Sequence, residues 1–346
     1  MTRARLLEGV RSVGALRRAA GFLAGLALGA TALWVVGPTA VTDALAAAQT
    51  EYVMLAAGLV AVALTLWGVS LWVVLRSSGT VVGVGRACWL FLGSVFLNSV
   101  TPFGQVGGDL PSGYLLARDR GLPSEAGVAA IAGVNTVNKL AGIALGVVGT
   151  LAVGALGSLA TVRGAVVWSL VAVATVGVAA VAWRHRRELV DGLTVLLAPP
   201  LRRLTAVVPR VEPTTGRGVR SRLDGFVRTL ERIGTPRTVA VVVLLGGAGQ
   251  LAVSATLWAA LRALGAAVPM AAALVAIPVA RLAGTTPTPG GLGGVEVALV
   301  GVLVAVTGVG TIQAGAAAVL YRAVSFWLPL LPGGVAVGTV FVGSAD

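Results

Sequence analysis

The chain has 346 residues, 57% of them hydrophobic and 11% charged, with a mean hydropathy of +0.93 and a formal net charge of +13. So large an apolar excess excludes an ordinary water-soluble core and reads as an all-α polytopic membrane protein. One cysteine (Cys88) and one histidine (His185) exclude an internal disulfide and leave no Cys/His set for a metal, and no cofactor is expected.

Residues 1–18 carry Arg3, Arg5, Arg11, Arg17 and Arg18 against Glu8, and an apolar run follows from Ala19 to Val36. The run is longer than a signal-peptide core, so it reads as an uncleaved first helix with a cytoplasmic N-terminus. Gly21, Gly25 and Gly29 give it a small-residue face for close packing. Gly37–Glu51 should lie outside. Tyr52–Leu75 spans back, with Trp67 and Trp72 as interfacial anchors and Arg76 and Arg86 holding the next loop inside.

Cys88–Val100 is apolar but is interrupted by Thr101-Pro-Phe-Gly-Gln-Val-Gly-Gly-Asp109. Two further spans follow, Ser124–Leu151 and Gly164–Trp183, and then the stretch 184–237, in which arginines far outnumber acids. That stretch falls on the cytoplasmic side only if Arg86 to about Leu116 enters and returns as a re-entrant hairpin. Its tip would lie near Phe103 and Gly104, with Asn98 and Asp109 at matched depth on its two arms. In the next span Asn135, Asn138 and Lys139 share one side at i, i+3, i+4 spacing. A lysine facing lipid at mid-membrane costs about 2.5–3.5 kcal/mol, so this side should face the protein interior.

The segment 184–237 reads as a cytoplasmic loop in which Val219–Ile233 forms an amphipathic helix on the inner leaflet, with Arg220, Arg228 and Arg232 reaching lipid phosphates. Phe226 alone is available there for base stacking, so nucleic acid is not the expected partner. Val239–Leu261 then spans outward. Val268–Val306, broken at Pro287–Gly294, forms a second hairpin entering from the other side, and Ile312–Pro332 returns. A span, a broken hairpin and a span in each half, with opposite sense, predict an inverted repeat: half one about 19–183, half two about 238–343, with six to eight transmembrane helices in all.

The second break, Pro287 to Gly294, cannot continue a helix, because proline lacks an N–H and glycine carries a large backbone-entropy penalty. Such backbone survives in a membrane only where it is buried in protein or lines a wet cavity. Arg281 and Glu296 flank Pro289 at similar distances and could face each other. Arg322, inside an apolar span, needs a partner, with Glu296 and a lipid phosphate as the candidates. Gly107-Gly108 and Gly290–Gly294 precede or open helices whose free N–H groups would suit a phosphate.

Three segments carry a resemblance: Asn98–Asp109, Pro289-Gly-Gly-Leu-Gly-Gly-Val-Glu296 and Leu320-Tyr-Arg-Ala-Val-Ser-Phe-Trp-Leu-Pro329. The chain resembles the lysylphosphatidylglycerol synthase transmembrane-domain family of flippase-like proteins over essentially its whole length, most closely the archaeal branch. The resemblance implies re-entrant helices and movement of polar lipids between leaflets. Bifunctional members make the aminoacylated lipid in a separate soluble domain, which this chain is expected to lack; no synthase or hydrolase constellation is expected either. The first motif departs from the family pattern, with Leu110-Pro-Ser-Gly-Tyr114 where an arginine often follows, and with Asn135-Thr-Val-Asn-Lys139 in the next helix.

The reading is a flippase-like transporter of the cell membrane that moves an anionic, aminoacylated or glycosylated lipid head group. Its expected head-group residues are Asn98, Gly107, Gly108, Asp109, Asn138 and Lys139 in the first half. In the second they are Arg281, Pro289, Gly290, Gly291, Glu296, Tyr321 and Arg322. Membrane lipids and a separate lipid-modifying enzyme are the expected partners. The alternatives are an ion- or proton-coupled transporter of a small solute and a membrane scaffold for a lipid-modifying enzyme.

Overall fold

The computed structural model describes residues 38–101, 105–154, 177, 181–207, 216–283 and 288–342. The expected helix 19–36 and nearly all of the span 164–183 lie outside the described residues, as do the first hairpin's tip at Phe103 and Gly104 and residues 284–287. All regular structure among the described residues is helical: α1, Pro38–Ala46; α2, Thr50–Ser77; α3, Val84–Val100; α4, Gln105–Arg120; α5, Ser124–Gly154; α6, Arg186–Val207; α7, Gly216–Ile233; α8, Pro236–Ala263; α9, Met270–Ala283; α10, Gly294–Thr307; α11, Thr311–Arg322; α12, Leu328–Val342. A 3₁₀ turn, Pro289–Gly291, precedes α10, and a π turn, Ala323–Trp327, joins α11 to α12.

Helices α2, α5 and α8, the segment 289–307 and the continuous segment 311–341 are long and apolar enough to cross a membrane. With 28 residues, α2 is about 42 Å long, more than the ~30 Å hydrocarbon core, whereas the 14 residues of α9 reach only about 21 Å. The chain is therefore a multi-pass, all-α membrane protein. The short helices α3 and α9 pair with α4 and α10 as two hairpins, as the breaks in the sequence predict.

The repeat keeps its register over long stretches although the two halves share few residues. Helices α2, α3, α8 and α9 begin at 50, 84, 236 and 270, so each second-half helix starts 186 residues after its counterpart. Trp72 donates its indole N–H to Val82 O at 3.0 Å, and Trp258 does the same to Val268 O at 3.2 Å. Arg76 and Arg262 lie over these indoles at 5.2 and 5.4 Å, and Gly79 and Gly265 end the turns at φ 86° and 74°. One extra residue in the second hairpin then shifts the interval to 187. Gly121 and Gly308, at φ 64° and 68°, close the hairpins, and α5 and α11 start at 124 and 311.

Equivalent helices run antiparallel, so the repeat is inverted. Tyr52 near the start of α2 packs edge-on to Trp258 near the end of α8, while Trp67, further along α2, donates to Gly246 O, earlier in α8, at 3.5 Å. Each hairpin leans on the opposite half: α3 packs along α12, and α9 along α5. Glycines permit both contacts, since a methyl group on Gly93 would meet Val337 Cγ2 at 3.4 Å and one on Gly149 would meet Leu274 Cβ at 2.6 Å.

Two expectations change. Much of the arginine-rich stretch is not loop but the helices α6 and α7, tied by Arg186 to Glu231 and Arg220 to Asp191, both at 2.8 Å. The amphipathic helix α7 covers protein rather than lipid with its apolar face: Leu230 and Ile233 pack on Gly133 of α5. Its sequence shows an apolar stripe but not what that stripe faces.

Candidate functional site

The second hairpin's tip turns through three glycines that only glycine serves without strain: Gly290, Gly291 and Gly293 have φ 59°, 66° and 83°. The turn places Glu296 in the first turn of α10, where Oε2 accepts the Gly293 N–H at 2.8 Å. Oε1 accepts Arg322 Nε of α11 at 2.7 Å, and Arg322 Nη2 donates to Gly290 O at 3.1 Å. The guanidinium lies 4.0 Å from the Phe326 ring centroid, one turn on, and Arg322 is only 8% exposed. Glu296 therefore neutralises Arg322 and at the same time fills the helix N-terminus where a phosphate had been expected.

The first hairpin builds the counterpart with weaker chemistry. Asp109 and Asn135 are separated by 26 residues, as are Glu296 and Arg322, and Asn135 Nδ2 donates to Asp109 Oδ1 at 2.6 Å. Asn135, only 1% exposed, thus stands where the second half has its arginine. Lys139, the counterpart of Phe326, is exposed. Asn98 packs its amide against Gly108 so closely that a methyl group there would collide with Asn98 Oδ1 and lie 2.5 Å from Asn98 Cα. The two hairpin tips approach each other: a methyl group on Gly290 would sit 3.2 Å from Ser99 O, as well as striking the Phe326 ring.

Arg281 does not face Glu296. It donates Nη1 to Gln250 Oε1 of α8 at 2.8 Å and lies 5.7 Å from the Trp67 ring. Trp67 thus underlies Arg281 at this site. The stripe on α5 continues toward Arg281: Asn138 meets Gly246 of α8, and Gly142 meets Gln250. Polar side chains thus form a line from Asp109 through Asn135 and Asn138 to Gln250 and Arg281. Asn138 Oδ1 on this line and Asn98 Oδ1 beside Gly108 are buried with no hydrogen-bond partner among the described residues.

Most of the expected residues collect around the two hairpins, but Tyr321 does not. It is 6% exposed and packs in the apolar core with Leu257, Leu299 and Ala318. Pro289 and Gly291 are buried parts of the turn, and of the residues 289–291 only Gly290, through its carbonyl, touches a charged side chain. Gln250 was missed, although a lone amide at the centre of an apolar span was its signal; Phe326 carried no signal until its stacking on Arg322 was seen.

Three bases (Lys139, Arg281, Arg322) and two acids (Asp109, Glu296) stand on the hairpins and on helices α5 and α11 at this site, leaving one positive charge whose described partner is a neutral amide. The sequence model of one protein family, the lysylphosphatidylglycerol synthase TM region, matches residues 22–333. No curated protein matches the chain.

Proposed function

Given that this chain belongs to the lysylphosphatidylglycerol synthase transmembrane-region family, we propose that it transfers a lipid with an anionic or phosphate-bearing head group between leaflets. The single observation that carries the reading is Arg281. It is a cation at the break of a membrane hairpin, over an indole face, with Gln250 in place of a carboxylate. A charge held this way is poised for an anion, because a phosphate forms a stronger, charge-assisted bond than an amide oxygen does.

In this reading the head group exchanges with Gln250 at Arg281 and is guided along α5 by Asn138, Asn135 and Lys139. Arg322 stays locked to Glu296 and holds the second hairpin's tip in shape. The inverted halves supply the alternation: each hairpin packs on the other half's long helix, so rocking one half exposes the midline to one leaflet and then to the other. The arginine-rich segment 184–237 faces the cytoplasm. In this reading no lipid-modifying step is assigned to the chain, which works beside a separate enzyme that makes its lipid.

The test is head-group-resolved transfer in proteoliposomes of phosphatidylglycerol and phosphatidylethanolamine, with Arg281→Gln beside the wild type. The expected result is at least a tenfold loss of transfer with thermal stability unchanged. Wild-type rates in folded Arg281→Gln protein would remove the argument from Arg281, and no transfer of any native lipid by the wild type would favour the scaffold reading.

A further inference from the structure

The inverted repeat relates two helix seams, and the chain closes one while leaving the other open. On the closed side Gly142 of α5 lies against Gln250 of α8, so close that a methyl group at Gly142 would collide with Gln250 Nε2. Counting by the repeat, the counterpart of Gly142 is Pro329 of α12, 187 residues on, and that of Gln250 is Leu64 of α2, 186 residues back. Both counterparts line a cavity of about 260 Å³, and α12 barely touches α2 whereas α5 packs along α8.

Two features keep the seam open. A proline ring occupies the position of the glycine that lets the other seam close, and the π turn 323–327 breaks the helical register just ahead of it. The wall is aliphatic, formed by Ala61, Leu64, Cys88, Leu92, Pro329 and Pro332. Its one hydroxyl, Thr65 Oγ1, is already committed to Ala61 O at 2.8 Å. A polar occupant would leave its own groups unpaired there. The volume lies just under the ~300–1,000 Å³ that takes a whole drug-sized ligand, so the cavity admits part of a lipid and not all of it. One end, at Leu328, adjoins the turn that carries Phe326 against Arg322; the other, at Leu64, is near Trp67, which underlies Arg281.

We infer that the cavity between α2, α3 and α12 is a slot for one hydrocarbon chain of the transported lipid. The inference rests on the lipid-transfer reading and adds where the tail is held while the head group is at Arg281.

Cys88 makes the slot testable, being the sole cysteine of the chain and part of the wall. Full-length protein in a bile-salt detergent, which has no linear alkyl chain, is alkylated with N-ethylmaleimide and followed by intact mass while dioleoylphosphatidylglycerol is titrated in. The expected result is a saturable slowing of Cys88 alkylation of at least tenfold, with Ala61→Trp slowing it to a similar degree before any lipid is added. Alkylation within twofold of the lipid-free rate at saturating lipid would overturn the slot. An Ala61→Trp protein that reacts like the wild type would overturn it as well, by showing that Cys88 is reached by another path. Transfer in proteoliposomes is measured in parallel: protection without transfer keeps the slot and sinks the transfer reading, and transfer without protection does the reverse.

Discussion

Removing the charge of Glu296 while keeping its shape should be among the most destabilising conservative changes in the chain. Glu296 and Arg322 are 19% and 10% exposed at their side chains, and their contact is a 2.7 Å charge-assisted bond. Glu296→Gln still offers an oxygen to the Gly293 N–H, so the helix cap survives. What is lost is the anion beside a guanidinium whose remaining contacts are one carbonyl and an aromatic face. Leaving one member of a buried pair uncompensated costs about 3–5 kcal/mol. The repeat supplies an internal control, because Asp109→Asn removes the counterpart carboxylate from a neutral partner, Asn135, at a cost of about 1 kcal/mol. Adding Arg322→Met to Glu296→Gln should recover part of the loss, since it removes the orphaned charge. Equilibrium unfolding in mixed micelles of dodecylmaltoside and sodium dodecyl sulfate reads the wild type, Glu296→Gln, Arg322→Met, Asp109→Asn and the double variant. A Glu296→Gln protein no less stable than Asp109→Asn, or a double variant whose losses merely add, would refute the reasoning.

Two glycine substitutions separate backbone strain from collision. Gly79→Ala changes a residue at φ 86° with open space around it and should cost about 1–2 kcal/mol by backbone strain alone. Gly290→Ala adds a strike on the Phe326 ring to the same strain and should exceed it by at least about 1–3 kcal/mol in the same unfolding assay; equal losses would mean that the ring moves aside freely. Gly142→Ala pushes on Gln250 and should weaken its bond to Arg281, lowering transfer severalfold with a smaller effect on stability, as measured by head-group transfer and thermal unfolding. Unchanged transfer in that variant would show that the seam does not position Arg281.

The layout of spans and breaks was legible because hydrophobic runs and proline–glycine clusters act locally. Arg322 with Glu296 was one of two pairings the sequence left open, since a buried arginine demands an anion whatever the fold. Arg281 with Glu296 failed for a reason that sequence distance does not encode: the 3₁₀ turn and α10 aim Glu296 back at Gly293 and across to α11, while Arg281 leaves α9 toward α8. The repeat was visible as an order of elements but not as a register. Its markers, Trp72 with Trp258 and Gly121 with Gly308, are scattered among residues that differ, and they become recognisable only when each makes the same contact or adopts the same backbone angle. The fate of the apolar face of α7 was illegible for a related reason, because a stripe looks the same whether lipid or Gly133 covers it.

The two return helices begin at different points relative to their acids, and this is why the two halves do not carry equal roles. Thr101–Asp109 and Thr288–Glu296 are stretches of equal length, but α4 begins at Gln105, well before Asp109, whereas α10 begins only at Gly294. Glu296 thereby falls in the first turn of α10, within reach of the Gly293 N–H, and the second half supplies its own anion to both its helix terminus and its arginine. Asp109 lies a turn inside α4, where it cannot serve that cap and instead engages Asn135. The Glu296–Arg322 pair is thus electrostatically closed upon itself. The first half presents an exposed lysine and two buried amide oxygens with no hydrogen-bond partner among the described residues, and Arg281 of the second half adds a cation bonded to Gln250 rather than to a carboxylate. In the proposed transfer, a head group seeking positive charge would therefore meet it at Lys139 and Arg281 and not at Arg322, whose charge Glu296 already holds.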